Sequence, residues 1–209
     1  MGVSVRERVG RGRAASEHSV HFFDSDDNRV EAVSSYLADA YGEDSSLLVV
    51  ARPLTWAAIS ERLQRFGVPI QQAAASGRLV ALDVTETLNR ISRHGTPDAT
   101  LFDSVVRGMV TRLAAHRRVA IYGEMVDLLA QRGDVDDAVL LEAFWNRLAS
   151  RVPMSLLCGY SAAHFVAAGT HRALRDICAA HSDVHADESD PLAMWLLNTA
   201  HHSAPTLHH

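Results

Sequence analysis

Short apolar runs alternate along this chain with longer segments in which apolar residues recur every three or four positions. The runs predict β-strands and the periodic segments predict α-helices. Leu47–Val50 is apolar at every position, which is typical of a strand buried on both faces of a parallel sheet. Five strands are predicted, over His21–Phe23, Leu47–Val50, Leu79–Leu82, Val119–Tyr122 and Met154–Leu157, the last extending toward Cys158.

Helices are predicted between most of these strands. The first follows the polar turn Asp24–Asn28 and carries Val33 and Leu37 on one apolar face. Asp83–Thr100 mixes Thr, Asn, Gly and Pro, and is predicted as a long loop with at most one helical turn. Further helices are predicted over Trp56–Phe66, Leu101–His116, Met125–Ala130, Val135–Ser150 and Ala162–His181. This alternation predicts a three-layer α/β fold with a mostly parallel central sheet flanked by helices.

The length of 209 residues suits one globular domain, predicted over residues 18–181. Residues 1–17 are predicted to be a flexible Arg/Gly leader, and residues 182–209 an acidic, His-containing tail. Within that tail, Pro191–Ala200 is predicted as a short amphipathic element. The sequence contains neither a secretory signal nor a run of about 18 apolar residues, so a cytoplasmic protein without membrane contact is expected.

All 20 basic residues are arginine, because the sequence contains no lysine. A Schiff-base enzyme, a pyridoxal-phosphate enzyme and a phosphate-loop nucleotidase each need a lysine amine, so these classes are excluded. The net charge of −5 argues against a dedicated nucleic-acid binder, whose affinity depends on clustered positive charge. Two cysteines, Cys158 and Cys178, are too few for a disulfide framework.

Three segments in order, with two shorter ones between them, point to a known family. The three are His18–Asp26, Arg118–Met125 and Leu156–Tyr160; the two are Pro53–Thr55 and Ser76–Leu79. In order and spacing they resemble the MEDS domain, the methanogen/methylotroph sensory domain of DcmR-type regulators, over roughly residues 18 to 185. The resemblance implies a RecA/KaiC-related fold that senses small organic or hydrocarbon-like ligands. It also implies a partner protein such as a kinase, an anti-sigma factor or a transcription regulator.

The turn after the first strand differs from that of a working RecA-type nucleotidase. Such an enzyme has glycines there, and a lysine opening the next helix, to hold phosphates. Here Asp24, Asp26 and Asp27 would instead repel a triphosphate, so the phosphate loop is degenerate and ATP hydrolysis is not expected. The alternative role of Asp24–Asn28 is to cap the first helix, whose free amides donate hydrogen bonds to Asp, Ser and Asn side chains.

Candidate ligand-binding residues lie where the predicted strands end, because open α/β sheets bind ligands at their carboxyl edge. Glu124, flanked by Tyr122 and Met125, follows the fourth strand. Structural roles, in the core or in local pairing, remain the alternative for each candidate. The full set is His21, Asp24, Asp26, Arg52, Tyr122, Glu124, Met125, Cys158 and Tyr160.

A metal or haem site is a weaker alternative, with His18, His21 and Cys158 as its candidate ligands. A regular strand places His18 and His21 on opposite faces, which prevents them from sharing one metal. The favoured alternative for Cys158 is an inert buried thiol, and a redox-responsive thiol is the other. No cofactor is specified by these residues.

The leading hypothesis is a stand-alone, non-catalytic sensory module that binds a small ligand at the carboxyl edge and signals through a partner. The pocket is expected to be framed by residues 24–28, the segment after Ala51, the 83–100 loop, Glu124 and Cys158–Tyr160. One alternative is a nucleotide-binding protein in which Asp26, Asp27 and Glu124 hold Mg²⁺ and arginines such as Arg52 hold phosphates. Another is a homodimer formed through the Met194–Leu197 segment.

Overall fold

The computed structural model describes residues 16–166 and 170–187. Its strands are β1 (Glu17–Phe23), β2 (Ser46–Ala51), β3 (Leu79–Asp83), β4 (Ser92–Arg93), β5 (Thr96–Pro97), β6 (Val119–Gly123), β7 (Met154–Ser161) and β8 (Asp183–Ala186). Its α-helices are α1 (Asp26–Gly42), α2 (Pro53–Arg65), α3 (Ile70–Ala75), α4 (Val84–Arg90), α5 (Ala99–Phe102), α6 (Gly108–Leu113), α7 (Met125–Arg132), α8 (Val135–Ala149) and α9 (His171–Ala179). A π-helical turn, Asp103–Arg107, joins α5 to α6, and a 3₁₀ turn, Ala162–Phe165, follows β7.

Six of the strands form one sheet in the order β3-β2-β6-β7-β1-β8, and every pairing in it is parallel. One face packs against α1 and α2 through residues such as Leu37, Ile59 and Leu63. The other face packs against α4, α7 and α8, with Trp145 among its largest buried side chains. The predicted three-layer α/β fold is therefore confirmed.

The strand order reverses between the neighbouring strands β2 and β6. The chain leaves β2 toward β3 on one side, whereas it leaves β6 toward β7 on the other. The following helices, α2 and α7, cover opposite faces of the sheet. Such a reversal opens a crevice at the carboxyl ends of the two strands, which is where open α/β sheets bind ligands. Arg52 and Glu124 occupy this point, directly after β2 and β6.

The prediction of a long loop over Asp83–Thr100 is wrong, because this segment contains α4 and the β4–β5 hairpin. Asp83 caps α4 by accepting a hydrogen bond from the amide of Glu86 at 2.8 Å. Val84 and Leu88 then bury one face of the helix. The hairpin turns at His94 and Gly95, whose φ angles of 54° and 93° are those that a tight two-residue turn requires.

Several predicted boundaries also differ from the structure. Strand β7 continues to Ser161, so Cys158 lies inside the strand and not at its end. The helix predicted over Leu101–His116 is divided by the π-helical turn, and the one predicted over Ala162–His181 contains the 3₁₀ turn and α9. The predicted tail contributes an edge strand, β8. Most of the leader and the Pro191–Ala200 element lie outside the described residues. Among the described helices, none combines the length and apolar character needed to cross a membrane.

Candidate functional site

A network of buried charges fills the crevice between β2 and β6. Glu124 lies at its centre and is fully buried. Its carboxylate accepts hydrogen bonds from the backbone N–H of Arg52 at 2.7 Å, the Tyr122 hydroxyl at 3.0 Å and the Arg29 guanidinium at 3.3 Å. We call the whole group the carboxyl-edge cluster; it comprises Arg29, Arg52, Tyr122, Glu124, Asp127 and His164.

Asp127 is the second carboxylate of this cluster and lies one helical turn after Glu124. It contacts Arg52 Nη1 at 2.8 Å and His164 Nε2 at 3.2 Å, and it accepts the Ser161 N–H at 2.6 Å. Burial alone would raise the pKa of Asp127, but these partners and Arg29 outweigh burial and lower the pKa. Asp127 is therefore held as a carboxylate that ties α7 to the end of β7.

Tyr122 behaves in the opposite way. Burial, reinforced by the negative charge of Glu124, raises the pKa of Tyr122 well above its ordinary value. The phenol therefore stays protonated and donates a hydrogen bond to Glu124.

Arg52 and His164 are the partly exposed members of the cluster. The Arg52 side chain is 28 % exposed and that of His164 is 21 % exposed, whereas Arg29 and both carboxylates are buried. Leu54, two residues after Arg52, is 87 % exposed. A partly exposed guanidinium suits a small molecule that carries an oxygen acceptor.

The turn before α1 lies beside this crevice and caps the helix, as the alternative interpretation predicted. Ser25 accepts a hydrogen bond from the amide of Asn28 at 3.2 Å. Asp24 accepts from the Asn28 side chain at 2.7 Å, and the Asp26 side chain is 96 % exposed. Asp187 adds a further carboxylate, because it accepts the Asp24 N–H at 3.0 Å.

The remaining predicted residues lie outside the carboxyl-edge cluster. His21 contacts Asp187 at 3.1 Å and stacks on the ring of Phe23, while Met125 is buried in the core. Cys158 and Tyr160 face the opposite side of the sheet from Glu124, where both contact Glu142. His18 faces that side as well, so the prediction that His18 and His21 point to opposite faces is confirmed.

Three members of the carboxyl-edge cluster, Arg52, Tyr122 and Glu124, are predicted from the sequence. The charged and polar residues that the sequence did not predict as site residues are Arg29, Asp127, His164, Glu142 and His181. Some of these carried a signal. Arg29 precedes Val33 and Leu37 by one and two helical turns, and a charge on an apolar helix face indicates a buried partner. Glu142 similarly interrupts the apolar face formed by Leu141 and Trp145.

Together, the parallel sheet and the charged crevice define an α/β domain built around its strand-order reversal. A family model described as "MEthanogen/methylotroph, DcmR Sensory domain" matches residues 17–182. The chain therefore belongs to the MEDS family of sensory domains. A comparison with the curated proteins found no match.

Proposed function

We propose that this protein is a non-catalytic sensory module that binds a small organic ligand at the carboxyl-edge cluster. The observation that carries the proposal is the position of the Arg52 guanidinium. This group is partly exposed, lies 2.8 Å from Asp127, and follows β2 at the point where the strand order reverses. A ligand oxygen that approaches from the crevice would share Arg52 with Asp127. The exposed side chain of Leu54 would contact the apolar part of the ligand.

The same contacts supply a route to a partner protein. Asp127 holds His164 of the 3₁₀ turn, and Val166, which follows that turn, is 79 % exposed. A ligand that shares Arg52 weakens the ion pair between Arg52 and Asp127, and so alters the carboxylate contact that holds His164. A shift between two arrangements of this turn then alters the surface that a kinase, an anti-sigma factor or a transcription regulator contacts.

Binding of a nucleoside triphosphate is the less favoured function. Phosphates placed at the turn before α1 would meet the carboxylates of Asp24, Asp26, Asp27 and Asp187. This turn also lacks the lysine and glycines of a phosphate loop.

Calorimetric titration together with thermal unfolding tests the proposal. The probes are acetate, butyrate and hexanoate, the alcohols of matching length, and ATP with Mg²⁺. We expect the carboxylates to bind and to raise the melting temperature, and Arg52→Gln to abolish both effects. Arg147→Gln is the matched control, since Arg147 is 37 % exposed and pairs with Asp103 on another face. Equal binding by the Arg52 variant, or binding of ATP alone, would overturn the proposal.

A further inference from the structure

A second group of titratable side chains lies on the opposite face of the sheet, under α8 and α9. It consists of His18 from β1, Glu142 from α8, Cys158 from β7 and His181 after α9, and we call it the His-Cys-Glu cluster. The four donor atoms all lie within 4.8 Å of one another. The side chains of both histidines and Glu142 are at most 5 % exposed, and Cys158 is fully buried.

Four of the separations between these donor atoms are close to those of a tetrahedral metal site. Glu142 Oε2 lies 3.2 Å from His18 Nε2, 3.2 Å from Cys158 Sγ and 3.4 Å from His181 Nε2. His18 Nε2 lies 3.3 Å from Cys158 Sγ. Tetrahedral zinc with ligand bonds of about 2.0 to 2.3 Å separates its donor atoms by roughly 3.3 to 3.7 Å.

The outer contacts orient each donor atom toward the centre of the cluster. His18 Nδ1 lies 2.9 Å from Asn146 Oδ1, and Asn146 is fixed because its amide donates to the Ala180 carbonyl at 2.8 Å. His181 Nδ1 lies 2.6 Å from the Ile177 carbonyl. Both Nδ1 atoms therefore carry hydrogen, and both Nε2 atoms point inward, as in metal-bound histidines.

Glu142 is oriented in the same manner. The Tyr160 hydroxyl donates to its Oε1 at 2.9 Å, which leaves Oε2 to face the two imidazoles and the thiol. His181 Nε2 is buried and has no hydrogen-bond partner, although Glu142 Oε2 is 3.4 Å away. A cation at the centre would satisfy His181 Nε2 and the carboxylate together.

We propose that the His-Cys-Glu cluster binds one Zn²⁺ ion through His18 Nε2, Glu142 Oε2, Cys158 Sγ and His181 Nε2. On binding, the Cys158 thiol releases its proton to solvent and coordinates as the thiolate. Two neutral imidazoles, one thiolate and one carboxylate then balance the double charge of the ion, so the buried site is neutral. Thiolate and imidazole donors favour zinc over magnesium or calcium, which prefer oxygen ligands.

A surface cavity of about 430 Å³ supplies an entry path. His18 and Asn146 form part of its lining, together with Ser16, Ser150 and Ser182. Rotation of the Asn146 side chain would open the cluster to this cavity. With four protein ligands the site is closed, which is typical of a structural or regulatory zinc site. The ion would join α9 and the start of β8 to the centre of the sheet.

Binding of Co²⁺ and Zn²⁺ to chelator-treated protein tests this site. His201, His202, His208 and His209 could bind metal independently, so they are replaced by alanine in every sample. We expect one equivalent of Co²⁺ to give the visible absorption bands of a tetrahedral cobalt site and a thiolate-to-cobalt absorption in the near ultraviolet. Zn²⁺ should displace the Co²⁺ and remove both. Cys158→Ser should abolish the thiolate absorption, whereas Cys178→Ser should retain it.

A second measurement covers variants that fold poorly. Tyr160→Phe keeps all four ligands and loses only the hydrogen bond to Glu142, so we expect its Zn²⁺ affinity to fall about 10- to 100-fold. The proposal is overturned if the parent protein shows no thiolate-to-cobalt absorption, or if Cys178→Ser removes it while Cys158→Ser does not. It is also overturned if Tyr160→Phe, folded by circular dichroism, binds Zn²⁺ as tightly as the parent.

Discussion

The side chain of Glu124 accepts the backbone N–H of Arg52 at 2.7 Å. This bond joins the end of β6 to the start of α2, across the gap that the reversal of strand order would otherwise leave. Because the Glu124 amide also donates to the Val50 carbonyl at 2.9 Å, the two segments are held together from both sides. The end of β6 and the start of α2 are therefore fixed relative to each other at the point where the strand order reverses.

Replacement of the Glu124 carboxylate tests how much its contacts stabilise the fold. We expect Glu124→Gln to lower the free energy of unfolding by about 3 to 5 kcal/mol, because it leaves the buried Arg29 with fewer anionic partners. Urea unfolding measures the change. Glu31→Gln is the control, since Glu31 is 68 % exposed and its pair with Arg62 should be worth less than about 1 kcal/mol. Equal losses in the two variants would contradict the expectation.

Gly159 in β7 allows the rings of Tyr122 and Phe23 to approach the backbone more closely than any residue with a Cβ atom would. A Cβ atom at Gly159 would lie 2.9 Å from the ring and hydroxyl of Tyr122 and 3.1 Å from the ring of Phe23. We therefore expect Gly159→Ala to lower the free energy of unfolding by about 1 to 3 kcal/mol. At Gly123, in the next strand, a Cβ would meet no atom within 4 Å, so Gly123→Ala provides the comparison. The prediction is wrong if Gly123→Ala costs as much.

The stability of the fold should depend on pH through His21. Burial lowers the pKa of His21 from 6.5; His185 and Arg29 act in the same direction, and together they outweigh the opposing effect of Asp187. Below about pH 6.5 the unfolded chain therefore binds more protons than the folded chain, and stability falls as the pH falls. We expect urea midpoints between about pH 7.5 and 5.5 to fall less in His21→Gln than in the parent. His116→Gln, at an exposed position, should keep the parent slope.

The two cysteines should differ in reactivity toward a disulfide reagent. Burial raises the pKa of Cys178 to about 11, and burial together with Glu142 raises that of Cys158 well above its ordinary value. Cys178 is partly exposed, so we expect it to react first and Cys158 to react only as the protein unfolds. Reaction rates of chelator-treated protein, native and urea-unfolded, measure this difference. Cys178→Ser should remove the faster phase; two equal native rates would refute the assignment.

The sequence predicted the frame of this fold well because strand and helix patterns are local. Leu47–Val50 and Val119–Tyr122 are short apolar runs, which are typical of strands buried on both faces of a sheet, and β2 and β6 form there. Arg52 and Glu124 were found by one general rule, that ligands bind at the carboxyl ends of parallel strands. Strand β8 was missed because Asp183–Ala186 is a short, largely exposed edge strand that has no apolar run.

The grouping of the site residues could not be predicted, because it depends on which helix covers which face. Cys158 and Tyr160 were expected beside Glu124, yet the pleat turns both toward α8. Their partner Glu142 lies in a different helix, and His181 comes from a third segment. The spacing of residues within one segment does not show which segments distant in the sequence come into contact in the fold.

The position of β1 in the sheet has a consequence for the order in which the chain acquires its structure. As the first strand of the described chain, β1 lies between β7 and β8, which are the last two. During synthesis, its hydrogen-bonding edges remain without their partners until nearly the whole domain has left the ribosome. Folding must therefore close its longest loops late, which slows the process and leaves Val20, Phe22 and Phe23 without their packing partners in the meantime.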